Sequence, residues 1–456
     1  MIMALTLILP LGLLIWVVYR GWPVLLAAPV MALLGAGIAG DPVLATLTQR
    51  FMPAAGGFVI AFLPLFLLGA VFGKVMEASG AALALARAIV AQLGVRQALP
   101  AVVLSCAVLT YGGVSLFVVA FAVYPLAVAL FREAALPHRL IPAAIALGAF
   151  TFTMSALPGA PAIQNAIPMP YFGTTVFAAP GLGVIAGLIM ALGGLAFLSW
   201  AARVSPGGTE ATEKPVSTGP DTDLPPVWHA VAPILMVFAA NWALATLILP
   251  RADLSYLNTP DWGGVTGAQV IGLWALIGAL TLAIVMLLAL TWHRLGSPRA
   301  TLGAGAEAAL QPLFNTAALV GFGAVIAALP AFATVNALTE EMPGGVLTSL
   351  AASASLLAGL TGSASGGMSI ALDTLGPRYL ATALAEGVDP AALHRIVALA
   401  TGGLDALPHN GAVVTLLGIA GLSHRAAYGP IFVVAVLIPV AAMLVALMLA
   451  TGFGAF

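Results

Sequence analysis

Residues 400–416 read ATGGLDALPHNGAVVTL and place an acid, an imidazole and an amide among apolar side chains. Asp405, His409 and Asn410 are the groups that could bind a polar ligand or exchange a proton there. Two glycines precede the acid and a Pro-His-Asn-Gly run follows it, so a continuous helix through this segment is not expected. The pattern predicts an interrupted helix that carries a functional site.

The composition shows that this site lies in a membrane protein. Of the 456 residues, 62% are hydrophobic and 7% are charged, whereas soluble domains carry about 25% charged residues. A net charge of -1 gives no reason to expect a nucleic-acid partner. The single cysteine, Cys106, excludes an intrachain disulfide and a cysteine-based metal site. We expect an all-α polytopic protein in the lipid bilayer, with no metal and no cofactor.

A second interruption is predicted in TGSASGGMS, where small and polar residues follow an apolar run. A helix that starts inside a membrane has unpaired N–H groups, which attract a carboxylate. The candidate substrate-binding residues here are Ser363, Ser365, Gly366 and Gly367. The alternative is that these small residues only let helices pack closely.

The first half of the chain offers counterparts. Gly112, Gly113 and Ser115 interrupt the apolar run 100–131, whose length suits a re-entrant or broken element. Gln164 and Asn165 lie in PGAPAIQNAIPMP, which we interpret as a non-helical polar insertion between spans. We expect all five to line the substrate site, with loop capping as the alternative for the two amides.

Asp405 is the candidate for ion coupling, because a charged residue inside a membrane is costly and is retained only where it has a partner or a functional role. It could accept a proton as substrate enters, and His409 could share that proton. It could instead be a sodium ligand helped by exposed carbonyls, or make a structural hydrogen bond.

Three short markers recur in the same order, 250 to 256 residues apart: a Gly-Gly pair followed by serine, a His-Arg pair and Ala-Leu-Pro. They predict a duplicated unit, which is typical of transporters. Residues 1–202 form the first membrane half and residues 228–456 the second. Residues 203–227, rich in Pro, Gly, Ser and Thr, are predicted to be a flexible cytoplasmic linker. Residues 41–57 are predicted to be a connection with two prolines, and residues 377–395 a polar connection.

The motifs TGSASGGMSIALDTLG and HRIVALATGGLDALPHNGAVVTLLGI resemble the C-terminal half of the gluconate:proton symporter (GntP) family, particularly its hydroxybutyrate-permease-like members. YGGVSLFVVAFAVYPL and PHRLIPAAIALGAF resemble the N-terminal half of that family. The resemblance covers most of the chain apart from the linker. It implies a bacterial inner-membrane permease for small hydroxy-carboxylates, with the inverted repeats, re-entrant hairpins and dimeric state of the ion-transporter superfamily.

One departure bears on the substrate. The sugar-acid branch of that family has FLPPHPGP in the first half and SHVNDPGF in the second, whereas this chain reads MSALPGAPAIQN and LDALPHNGAVV. The first-half histidine is absent, which favours an acid smaller and less hydroxylated than gluconate. Within the motifs, the site roles carry over to Gly366, Gly367, Asp405, Pro408, His409 and Asn410.

The sequence therefore predicts a secondary active transporter for proton-coupled uptake of a small hydroxy-monocarboxylate such as 3-hydroxybutyrate. A gluconate or other sugar-acid symporter and a sodium-coupled organic-anion transporter are alternatives. An anion channel is the alternative from a different class, although the polar residues cluster at two breaks rather than along a continuous lining. No enzyme is expected, because no serine-nucleophile elbow or HExxH motif accompanies the acid and the imidazole.

Overall fold

The computed structural model describes residues 2–20, 22–114, 116–204, 223–330, 344–408 and 410–456. In these residues all regular secondary structure is helical, without a β-strand. Six described helices are long and apolar enough to cross a membrane. A seventh span is added if Ala81–Leu93 and Val95–Tyr111, which meet at 107°, count as one. The protein is an all-α polytopic membrane protein.

The first half begins with the antiparallel helices α1 (Ile2–Tyr19) and α2 (Val24–Ala39), followed by α3 (Val43–Ala78). The predicted connection over residues 41–57 is wrong, because α3 is one helix of 36 residues that runs through it. A π-helical turn at Leu47–Phe51 precedes Pro53. Such a wider turn absorbs the proline, which cannot donate an i to i-4 hydrogen bond.

The next elements form an interrupted helical hairpin, as the glycines at 112 and 113 predict. After α4 (Ala81–Leu93), helix α5 (Ala98–Tyr111) ends at these glycines and α6 (Leu116–Glu133) packs back against it. Gly113 has a φ of +93°, a conformation that a residue with a Cβ rarely adopts. The hairpin therefore depends on glycine at this turn.

Helix α7 (Ile141–Phe150) is followed by a largely irregular segment that leads to α8 (Pro180–Val204). This segment contains the proline-rich insertion, and it is not wholly non-helical: Phe152–Ser155, Ile163–Ala166 and Pro168–Phe172 are single helical turns. The prolines limit their length, and Gly159 turns the chain with a φ of +83°.

The second half opens with three long helices: α9 (Trp228–Arg251), α10 (Pro260–Arg294 in its full helical extent) and α11 (Pro298–Ala327). A second interrupted hairpin follows, in which α12 (Gly345–Thr361) and α13 (Ala364–Glu386) are separated by Gly362 and Ser363. The chain ends with α14 (Pro390–Leu404), an irregular stretch, α15 (Gly411–Ala420) and α16 (His424–Phe453).

The predicted polar connection over residues 377–395 is also wrong, because most of it is helical. Helix α13 continues to Glu386, and α14 begins at Pro390. The side chain of Asp389 accepts a hydrogen bond from the backbone N–H of Ala391 at 2.8 Å. An aspartate cap followed by proline at the first helical position is a strong helix start.

The described residues contain two interrupted hairpins, one formed by α5 and α6 and the other by α12 and α13. The two halves of the sequence are nevertheless interlocked, since α3 packs along α11 and α8 packs along α16. Side chains that contact the helix interruptions can therefore come from both halves of the sequence.

Candidate functional site

The break between α12 and α13 forms a small polar cluster. Gly362 ends α12 in the left-handed conformation, and the Ser363 hydroxyl caps α13 by accepting from the N–H of Gly366 at 3.1 Å. The Ser365 hydroxyl lies 3.4 Å from those of Ser363 and of Thr316 on α11. Three hydroxyl groups thus meet in the middle of otherwise apolar helices.

The break between α14 and α15 is held to this cluster by Asn410. Its side-chain oxygen accepts from the N–H groups of Ala412 at 2.7 Å and Val413 at 3.0 Å, which caps α15. Its side-chain nitrogen donates to the carbonyl oxygen of Gly362 at 3.0 Å. The N-terminal ends of α13 and α15 therefore lie next to each other, although 47 residues separate their first residues.

Asp405 follows the last residue of α14. Its Oδ1 atom is buried and has no hydrogen-bond partner in the described part of the chain. Two side chains of α16 hold the backbone that follows: the Tyr428 hydroxyl donates to the carbonyl of Ala406 at 3.1 Å, and His424 Nε2 lies 2.9 Å from the carbonyl oxygen of Pro408. The other proton candidate, His409, lies outside the described residues, and so does Ser115.

The predicted glycines are positioned by packing. A Cβ atom on Gly367 would lie 2.3 Å from backbone atoms of Ala358, and one on Gly366 would lie 2.6 Å from the side chain of Leu319. A Cβ on Gly112 would lie 2.6 Å from the side chain of Ile234. These contacts account for the glycines by close approach of neighbouring helices, as in small-xxx-small packing.

The two first-half amides are buried in different settings. Asn165 donates to the carbonyl oxygens of Leu157 at 3.3 Å and Ala160 at 3.2 Å, so it holds the irregular segment together. The side-chain oxygen of Gln164 is buried and has no partner among the described residues.

Sequence reasoning missed Arg395, which was assigned to a polar connection. It lies in α14 with 0% of its surface exposed, and its guanidinium donates to Asn165 Oδ1 at 2.8 Å and to the carbonyl oxygens of Val176 and Ala178 at 2.9 to 3.2 Å. One feature of the sequence could have indicated this burial. The motif HRIVALATGG places Arg395 about one turn after a helix start at Asp-Pro, in a stretch of mostly apolar residues. Arg395 joins the second half to the first-half segment.

The buried Arg395 lies within helix α14, and the partly buried Asp405 directly follows this helix. Arg395 and Asp405 are ten residues apart in sequence, which corresponds to about 15 Å along the helix. Within the described ranges, no group of three or more His, Cys, Asp or Glu side chains could hold a metal ion.

Helices that are interrupted around buried polar groups are typical of membrane transporters. No family model matches the chain. It is 41% identical over 452 residues to the "Uncharacterized transporter YxjC" of Bacillus subtilis (strain 168), a match that covers 94% of each chain. The chain belongs to the family of that protein and is a transporter rather than an enzyme.

Two solved structures show the same fold at low sequence identity. The YdaH transporter of Alcanivorax borkumensis, described as having an unusual topology, matches with a TM-score of 0.54 and 18% identity, over 88% of this chain and 87% of that one. MtrF of Neisseria gonorrhoeae, from a class of antimetabolite efflux pumps, matches with a TM-score of 0.57 and 15% identity, over 90% of this chain and 84% of that one.

Proposed function

We propose that this transporter is a secondary active permease that takes up a small hydroxy-monocarboxylate, such as 3-hydroxybutyrate, together with a proton. The observation that carries the proposal is the contact between Asn410 and Gly362, which brings two half-helix starts together. Asp405, five residues before Asn410 in the chain, has a buried Oδ1 atom without a hydrogen-bond partner among the described residues.

The two helix starts support an anionic substrate. Each N-terminus carries a positive partial charge from N–H groups that have no helical partner. Ser363 and Asn410 satisfy some of these groups, at Gly366, Ala412 and Val413. The first N–H groups of α13 and α15 remain to bind a carboxylate, and the hydroxyl of Ser365 suits a hydroxyl group of the substrate.

Asp405 supports coupling to a proton. A carboxylate is costly to bury, so a carboxyl group with one buried oxygen that has no hydrogen-bond partner is a candidate for reversible protonation. The titratable side chains that face this break from α16 are His424 and Tyr428, and both contact backbone carbonyls rather than the carboxyl group. We assign the proton to Asp405, with His409 as a second acceptor.

The substrate class follows from the resemblance to the GntP family and from the absent first-half histidine. Gluconate or another sugar acid, and coupling to sodium in place of protons, are the alternatives. The family resemblance also underlies three further parts of the proposal: inverted repeats, a homodimer and a location in the bacterial inner membrane.

The experiment is uptake into proteoliposomes of labelled 3-hydroxybutyrate, lactate, glycerate and gluconate, with an imposed pH gradient that is alkaline inside. We expect accumulation of 3-hydroxybutyrate that collapses with a protonophore. If no monocarboxylate accumulates, the proposal is wrong. Replacing the pH gradient with a sodium gradient tests the alternative ion, and counterflow by unlabelled substrate separates a carrier from a channel.

A further inference from the structure

Arg395 has no role in the function proposed above, although it is the only arginine or lysine side chain that is buried among the described residues. None of the ion pairs found in the described part of the chain includes it. All of its hydrogen-bond acceptors are neutral: one amide oxygen and two backbone carbonyls. Arginine keeps its charge in proteins, so the protein interior holds a permanent positive charge that is not part of any ion pair in the described residues.

Such a charge is costly to bury, and a purely structural explanation is incomplete. A neutral donor could make the contacts to Asn165, Val176 and Ala178 without the cost of an unpaired ion. The guanidinium has five N–H donors, and four hydrogen bonds are formed. One hydrogen on Nη1 is left for another acceptor.

The residues next to this contact in the chain have buried polar atoms without a partner. The Oε1 atom of Gln164, which precedes Asn165, has no hydrogen bond among the described residues, and neither does Nε2 of His394, which precedes Arg395. Gln164 is 7% exposed and His394 is 0% exposed. The other ring nitrogen of His394 lies 2.7 Å from the Thr174 hydroxyl. Buried polar atoms normally have hydrogen-bond partners, so these two atoms are candidates to contact a polar ligand.

We propose that Arg395 is the cation that pairs with the substrate carboxylate during transport. The inference rests on the proposed function: the helix starts of α13 and α15 hold the substrate carboxylate in one conformation, and Arg395 pairs with it in another. Pairing occurs in a conformation in which the first-half segment moves away from α14 and frees the guanidinium. Asp405, directly after the same helix, then takes the proton. The loaded carrier, with Arg395 and the substrate carboxylate charged, therefore holds one cation and one anion, as the empty carrier does with Arg395 and Asp405 charged.

The test measures binding separately from transport. Purified protein is heated with acetate, lactate, 3-hydroxybutyrate or gluconate, and with the neutral analogue 3-hydroxybutyramide, and the ligand-dependent rise in unfolding temperature is titrated. The variants are Arg395→Lys, which keeps the charge, and Arg395→Gln, which keeps donor groups but removes the charge. Arg299→Gln, at an exposed arginine at the start of α11, is the matched control.

We expect at least one carboxylate to stabilise the wild type and Arg299→Gln, and the amide to stabilise neither. Arg395→Gln should lose at least about 30-fold in apparent carboxylate affinity, as expected when one partner of a buried charge pair is removed. Arg395→Lys should retain affinity within about tenfold. The comparison of carboxylate with amide uses the wild type alone, so it stands even if a variant does not fold.

Equal affinity for a carboxylate in Arg395→Gln and in the wild type would overturn the inference while leaving the proposed function intact. If the wild type bound 3-hydroxybutyramide as tightly as 3-hydroxybutyrate, the inference about Arg395 would also be overturned and the proposed function would remain. Carboxylate binding that depends on Arg395, without accumulation in proteoliposomes, would support the inference and overturn proton-coupled uptake. A wild type that no carboxylate stabilises would overturn both.

Discussion

The side-chain nitrogen of Asn410 lies 3.0 Å from the carbonyl oxygen of Gly362 and joins the two interrupted helices of the second half. One amide thereby caps α15 and fixes the end of α12. Replacement by alanine should remove both functions and lower the free energy of unfolding by about 2 kcal/mol, the sum of a lost cap and a lost buried hydrogen bond. Thermal unfolding of the purified protein measures this effect.

Asn410→Ser is the informative companion, because serine can still cap a helix but does not reach Gly362. It should lose about half as much stability as Asn410→Ala. Asp389→Ala, at the N-cap of α14, controls for loss of a cap alone. An alanine variant as stable as the wild type would show that this contact does not hold the breaks together.

Asp405 should determine coupling rather than folding. Asp405→Asn keeps the shape of the side chain but cannot exchange a proton, so accumulation driven by a pH gradient should fall to background while exchange of internal for external substrate persists in part. The measurement is uptake and counterflow in the same proteoliposomes. Asp253→Asn, in the exposed connection before α10, is the matched control. Unchanged accumulation in Asp405→Asn would remove Asp405 from the coupling role.

We expect the two serines at the break between α12 and α13 to have different roles, one structural and one in ligand binding. Ser363 caps α13, so Ser363→Ala should cost about 1 kcal/mol of stability. Ser365 makes only long contacts of 3.4 Å to other hydroxyl groups. Ser365→Ala should leave the unfolding temperature nearly unchanged and raise KM for uptake by about tenfold, the loss of a net hydrogen bond to the substrate. Unaltered KM in Ser365→Ala would contradict its assignment to the substrate site.

Gly367 should tolerate no side chain. A Cβ at this position would lie 2.3 Å from the backbone of Ala358, so Gly367→Ala must push α12 and α13 apart. We expect a loss of about 1 to 3 kcal/mol, typical of overpacking. Gly69→Ala is the control, because nothing lies within 4 Å of a Cβ there and alanine favours a helix. Equal unfolding temperatures for the two variants would mean that the hairpin is less tightly packed than the structure indicates.

The cytoplasmic linker predicted for residues 203–227 can be tested by labelling. Cys106 is buried, and its replacement by alanine gives a background into which Lys214→Cys is introduced. A membrane-impermeant maleimide should label Lys214→Cys in inside-out vesicles and not in intact cells. Ser255→Cys, in the connection between α9 and α10, should show the opposite pattern. Labelling of Lys214→Cys from outside would reverse the predicted orientation.

The amino-acid sequence by itself determined the membrane class, the helical fold and the positions of the interruptions. Hydropathy over long windows reports the environment of a helix directly, and Gly-Gly, Gly-Ser and Pro-His-Asn-Gly break helices through local backbone chemistry. The interruptions near Gly112, Gly362 and Asp405 could therefore be predicted. Two prolines were misleading: Pro42 caps the start of α3, and a π-helical turn accommodates Pro53 within that helix.

Only the tertiary structure decided what the polar side chains do. Asn410 and Gly362 are 48 residues apart, and Arg395 and Asn165 are 230 residues apart. No local pattern encodes such contacts. The glycines at 366 and 367 are compatible with ligand binding or with close packing, and the neighbouring helices decide between them. Whether a charged side chain is solvated or buried likewise depends on which helices surround it. The burial of Arg395 could therefore be recognised only from the tertiary structure.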